Sequence, residues 1–151
     1  MRSDLAKYEV KQMPEDYHFE LGKATVIREG EDVTLIGSGI MVSRCKEAAE
    51  ILRGRGISAE VINVSTIKPL DTETIIRSAS KTKHVVTAEN STVIGGLGGA
   101  VAEVLSEECP VKMRRIGIKD RFGHSGLIDE LLEIYNLTTG DIVKKALEVL
   151  G

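Results

Sequence analysis

Apolar residues along the chain fall into short runs divided by turn residues, and most of those runs alternate with helical patterns. Residues 24–27, Ala-Thr-Val-Ile, form one short apolar run, and residues 33–37, Val-Thr-Leu-Ile-Gly, form the next. Between them stands Arg28-Glu29-Gly30-Glu31-Asp32, a turn composition in which Gly30 is free to take positive φ. That spacing predicts an antiparallel hairpin. Met41, Val42, Cys45, Ala48, Ala49 and Leu52 then recur at helical spacing, and Gly54-Arg55-Gly56 stops the helix. Residues 59–64 read as a strand. Pro69 and Asp71 open a second helix with Ile75, Ile76 and Ala79 on its inner face and Asp71 as N-cap. Residues 84–88 read as a strand, and Gly95-Gly96-Leu97-Gly98-Gly99 leads into a helix carrying Ala100, Val101, Val104 and Leu105. Pro110 precedes a last strand over 111–118. Its alternation fails at Arg114-Arg115, which predicts a bulge or an edge strand. Helices around 127–135 and 141–150 close the chain.

Strands separated by helices of this length pair in parallel through right-handed crossovers. The predicted fold class is α/β, in three layers. It has a mixed sheet of about five strands, the first antiparallel and the rest parallel, with helices on both faces. Residues 1–21 carry Pro14 and show no period; they read as an extended arm or interdomain linker, and 22–151 as the domain.

Composition narrows the function classes. The net charge of −3 argues against a nucleic-acid partner. Trp is absent and aromatic residues make up 3%, which argues against base stacking. No apolar run is long enough to cross a bilayer, so no membrane partner is expected. Residues 1–20 are polar and mixed in charge, unlike a secretory signal. Two cysteines, Cys45 and Cys109, make neither a disulfide framework nor a zinc site, and the expected location is cytoplasmic.

Ligands of open α/β sheets bind beyond the carboxyl ends of the strands. Here those ends are Ser38-Gly39, Ser65-Thr66, Glu89-Asn90-Ser91 and the stretch from Lys119 to His124. Gly37-Ser38-Gly39 has the start of a dinucleotide fingerprint, but Val42 stands where the third glycine belongs, and the one acidic residue at suitable distance, Glu60, lies inside a strand. A tight turn before a helix is the simpler reading. Gly95, Gly96, Gly98 and Gly99 open a helix whose free N–H groups suit an anion, or else they allow close backbone packing. Glu89 has the position of a general base, without an obvious partner, and Asn90 that of a cap. His124 sits near Asp120 and Arg121 on one loop, as a reactive or a structural histidine. His18 and His84 lack metal-ligand spacing. Cys45 reads as core, and neither cysteine shows a nucleophile pattern. Lys112, Arg114, Arg115, Lys119 and Arg121 form a local basic cluster, read as a solvated strand edge.

Three stretches together resemble the C-terminal domain of the transketolase family. The first is Phe19-Glu20-Leu21-Gly22-Lys23-Ala24 running into Glu31-Asp32-Val33-Thr34-Leu35-Ile36-Gly37-Ser38-Gly39. The second is Val86-Thr87-Ala88-Glu89-Asn90 followed by Ile94-Gly95-Gly96-Leu97-Gly98. The third is Asp120-Arg121-Phe122-Gly123-His124-Ser125-Gly126, then Glu130-Leu131-Leu132 and Leu137-Thr138. The resemblance covers the chain from about Tyr17 onward. It implies an enzyme that uses thiamin diphosphate and Mg to transfer two-carbon ketol units between sugar phosphates. It further implies that this domain holds no catalytic, cofactor or metal residue and is inactive alone. Its partners would be the pyrophosphate- and pyrimidine-binding domains of the same enzyme, with homodimer contacts. The chain lacks the family's Gly-Asp-Gly metal-diphosphate motif and the upstream region that carries its catalytic glutamate. Deoxyxylulose phosphate synthase and 2-oxo acid dehydrogenase β subunits share the fold, but the Phe122-Gly123-x-Ser125-Gly126 loop looks more like transketolase. Family members often carry an acidic residue where His124 stands.

Three functions compete on these grounds: an assembly domain of a transketolase, an anion-binding regulatory module, and a small enzyme using Glu89 and His124. The residues expected at an interface or anion site are Glu89, Asn90, Gly95, Gly96, Gly98, Gly99, Arg121 and His124.

Overall fold

The link between the first two strands decides the topology. In the computed structural model, which describes residues 13, 14 and 17–151, β1 (Ala24–Arg28) and β2 (Val33–Gly37) do not pair. Both flank β3 (Ala59–Val64): β1 antiparallel, with Ala24 opposite Val64, and β2 parallel, with Val33 opposite Ala59. The predicted hairpin is therefore wrong. Glu29–Asp32 instead crosses over the start of β3. The N–H groups of Glu31 and Asp32 both donate to Ser58 O, at 3.1 and 2.8 Å, and Ser58 N returns a bond to Asp32 Oδ2 at 2.6 Å. Gly30 is required here for closeness and not for positive φ, since a Cβ would stand 2.1 Å from Glu60 N. Two strand spacings are about 10 Å, well within the reach of four extended residues, so the same linker length allows a hairpin or a one-strand skip.

From β2 the chain winds as expected. α1 (Met41–Arg53), α2 (Thr72–Thr82) and α3 (Leu97–Glu108) connect β2, β3, β4 (His84–Thr92) and β5 (Lys112–Ile118). The order is β1-β3-β2-β4-β5, with every pair after the first parallel. This is the mixed five-stranded sheet that the sequence predicts. β5 is indeed an edge strand. Arg114 and Arg115 nevertheless keep regular register with Val86 and Thr87; the irregularity comes later, between Ala88 and Thr92 of β4. β4 also runs to Thr92, past the predicted end at Ala88.

Helices cover both faces. α1, with all six predicted apolar positions buried, packs on one face beside α5 (Thr139–Leu150), which contributes Ile142, Val143, Ala146 and Val149. Leu132 of α4 (Ile128–Ile134) joins that core. α2 and α3 cover the opposite face with Ile75, Ala79, Leu97, Val101 and Leu105, while Ile76 is half-buried. Asp71 caps α2 as predicted. Its Oδ1 accepts Thr74 N at 3.1 Å, and its Oδ2 accepts Thr74 Oγ1 at 3.0 Å and Ala24 N at 2.9 Å, tying β1 to the helix. Burial raises its carboxyl, but these bonds outweigh burial and hold it below the ordinary carboxylate range.

A charged network sits under α2 near the start of β2 and β3. Glu60 is 1% exposed. Its carboxylate accepts Thr34 Oγ1 at 3.0 Å and Lys81 Nζ at 2.8 Å, and Lys81 also bonds Glu29 at 2.7 Å. Those bonds raise the Lys81 ammonium, and the bond from Lys81 lowers Glu29. The arm predicted over 1–21 lies largely outside the described residues.

Candidate functional site

Glu89 sits at the carboxyl end of the buried part of β4, where an enzyme of this fold would keep a reactive group. Its side chain is 1% exposed and fully engaged. Oε1 accepts Gly98 N at 2.8 Å; Oε2 accepts Leu97 N and Ser91 Oγ, each at 2.9 Å. The carboxylate therefore occupies the positive end of the α3 dipole, and the first-turn N–H groups expected to await an anion already hold one supplied by the chain. The glycines make the room. A Cβ on Gly96 would stand 2.0 Å from Glu89 Oε2, and one on Gly117 would stand 3.0 Å from Glu89 Cγ. Gly98 lets α3 approach the sheet, where a Cβ would meet Thr87 Oγ1 and Arg115 Cδ at 2.9 Å each. Gly95, at φ 71°, makes the preceding turn, and Gly99 faces Val93 O with space to spare.

The remaining predicted residues scatter. Asn90 is exposed within β4 and has no side-chain cap bond among the described residues. Gly37 is tight against Val42 and Cys45 Sγ, at 3.1 and 3.2 Å from an added Cβ, which is the turn-and-packing reading of Gly37-Ser38-Gly39. His124 does not approach Glu89 in any shared bond. Its N–H donates to Tyr135 Oη at 2.8 Å, its Nδ1 lies 2.9 Å from the same oxygen, and Tyr135 passes a bond to Phe122 O at 3.1 Å. These bonds pin the loop to α4. Arg121 is exposed on that loop and makes no side-chain bond among the described residues.

The other strand ends are closed from within too. Ser65 meets Tyr17 Oη at 3.3 Å, and Thr66 Oγ1 accepts Gly22 N at 3.0 Å. Beside exposed polar groups such as Lys119 and Arg121, the edge leaves four apolar side chains open: Ile67 follows β3, Ile94 follows β4, and Phe122 and Leu127 follow β5. Phe122 is 96% exposed and Leu127 70%. The sequence brought Ile94 and Phe122 forward only as parts of the family resemblance, and named none of these apolar residues, nor Tyr135, Lys144 or Lys145, for a site. The helical spacing of Ile142, Val143, Ala146 and Val149 was the available signal for the lysines, since it turns 144 and 145 outward.

Among the described residues no group of three His, Cys, Asp or Glu side chains gathers in a way that could hold a metal ion. Burial pushes the Cys45 thiol up to about 12, which leaves it protonated and inert. No helix of the described chain is long and apolar enough to cross a membrane.

The chain and its fold have counterparts among known proteins. Residues 22–142 match the family described as transketolase, C-terminal domain. This chain belongs to that family. A 6-deoxy-6-sulfo-D-fructose transketolase subunit from Clostridium sp. (strain MSTE9) is 56% identical over 89% of this transketolase C-terminal domain. A putative transketolase C-terminal section from Methanocaldococcus jannaschii is 47% identical over the same share. The domain spans 42% of the length of each of these two relatives. A 1-deoxy-D-xylulose-5-phosphate synthase from Heliobacterium modesticaldum is 40% identical over 85% of the chain and is matched over 20% of its own length. Among solved structures, a split-gene transketolase in an inactive beta4 tetramer superposes with a TM-score of 0.89 at 45% identity, over 94% of this chain and 46% of that one.

Proposed function

We propose that this transketolase C-terminal domain is a non-catalytic assembly element of a thiamin diphosphate-dependent enzyme that transfers two-carbon ketol units between sugar phosphates. One observation carries the reading. The strand-end edge spends its reactive groups on itself, Glu89 on α3 and His124 on Tyr135, and leaves Ile94, Phe122 and Leu127 exposed beside them. An edge whose carboxylate and histidine are engaged and whose apolar side chains stand exposed is suited to docking. Its partners are then the pyrophosphate- and pyrimidine-binding domains of the same enzyme, which hold thiamin diphosphate and Mg, with dimer contacts through the same assembly in the cytoplasm. Relatives named as a transketolase subunit and a C-terminal section favour ketol transfer over deoxyxylulose phosphate synthesis.

The test assays the chain alone, and again together with the cofactor-binding domains, with thiamin diphosphate, magnesium and sugar phosphates. Turnover is expected only in the second case. Phe122→Asp should leave the melting temperature unchanged and weaken docking by roughly 2 kcal/mol, whereas His124→Ala should leave kcat within a few-fold. Turnover by the chain alone, or collapse of kcat with intact assembly in His124→Ala, would overturn the reading.

A further inference from the structure

A second feature lies where the chain leaves β5. A cleft of about 290 Å³ opens between the last residues of β5, the loop that leaves it and the start of α5. Its walls carry Arg115, Lys119, Arg121, Lys144 and Lys145, against one carboxylate, Asp141. That carboxylate is already committed, since its Oδ2 accepts Thr138 N at 3.0 Å and Thr138 Oγ1 at 2.5 Å in the α5 capping box. Two of the cations also have partners: Lys145 pairs with Glu148 at 2.6 Å, and Arg115 donates to Val93 O at 3.2 Å. Lys119 and Arg121 have no hydrogen bond or ion pair among the described residues, and Lys144 feels Glu148 only through longer-range attraction.

This gathering runs against the rest of the chain. Acidic residues outnumber basic ones, 23 to 20, and elsewhere Arg28 pairs with Glu50 and Lys81 with Glu60. Like charges around a concavity repel one another and concentrate anions there. We infer that this cleft is a binding site for a small phosphorylated anion. A dianion relieves the repulsion of several cations at once, and the guanidinium of Arg121 offers the planar fork that matches phosphate oxygens. The volume is at the lower end of small-ligand sites, which suits one phosphate group with a small organic portion. A nucleic acid is disfavoured by the chain's net charge of −3. The site is independent of the assembly role, because binding can be read without turnover.

The experiment titrates the full chain with inorganic phosphate and, separately, with fructose 6-phosphate, at ionic strength held constant with sodium chloride, and follows backbone amide resonances. Saturable shifts confined to residues 115–121 and 136–145 are expected. The double variant Arg121→Gln, Lys144→Gln removes only exposed side chains and should weaken binding about tenfold or more. Tighter binding of the sugar phosphate assigns the site to a phosphomonoester; equal or tighter binding of phosphate assigns it to the free anion. Non-saturating or dispersed shifts, binding unchanged in the double variant, or tighter binding of an aspartate- and glutamate-rich peptide would each overturn the inference.

Discussion

Glu89 Oε1 lies 2.8 Å from Gly98 N, so a buried carboxylate of β4 terminates the backbone of α3. With Leu97 N bound to the other oxygen, one side chain satisfies two buried donors and meets the helix dipole. Glu89→Ala strands both donors, at about 1–3 kcal/mol each. A loss of roughly 2–4 kcal/mol in urea unfolding is expected, with amide exchange accelerating first in α3. A loss below the usual range for surface substitutions would remove the structural assignment of Glu89.

The crossing of β3 by the link at Gly30 predicts a contrast between two glycines. Gly30→Ala drives a Cβ to 2.1 Å from backbone Glu60 N, where nothing flexible can yield. Its expected effect is about 3 kcal/mol. Gly56, at φ 77° after α1, has open space, and Gly56→Ala should lose only the left-handed backbone term of about 1–2 kcal/mol. Thermal unfolding of the pair measures the difference, and equal losses would contradict the crossing.

Lys81 is the cation that neutralises buried Glu60. Lys81→Met leaves that carboxylate with the Thr34 hydroxyl and beside the Glu29 carboxyl, and a loss of about 2–3 kcal/mol is expected, below the full value for a buried pair because the Lys81 side chain is 29% exposed. Adding Glu60→Gln should restore part of it. A double variant no more stable than Lys81→Met would show that packing, and not charge, sets the effect.

Acid stability should depend on Asp71. Its folded carboxyl is held below the ordinary value, so its contribution is complete above that value and disappears as pH falls through the lower, folded one. The loss therefore begins below about pH 4. Asp71→Asn should be less stable at neutral pH and show a shallower acid limb in unfolding measured from pH 6 to 2. An unchanged acid limb would assign the dependence to other carboxylates, Glu29 with its bond from Lys81 first among them.

The order of elements was written in the chain. The six apolar positions of α1, the Asp71 cap and the apolar run of β3 are local patterns, and each appeared where its period placed it. Family membership was legible for the same reason, because its three stretches are contiguous in sequence. Pairing was not. Arg28 to Asp32 can close a hairpin or step over a neighbour, and the choice was made by β3, which presents its edges to β1 on one side and β2 on the other. Nor could the sequence tell that Glu89 and the glycines around Leu97 were each other's answer. They were read as a base without a partner and an anion site without an anion. Only the packing of α3 against the end of β4 brought the charge to the donors, and Lys119, Arg121 and Lys144 met at one cleft only when α5 folded back beside β5. Local patterns repeat along the chain and can be counted there, whereas these encounters join residues whose separation in sequence carries no period.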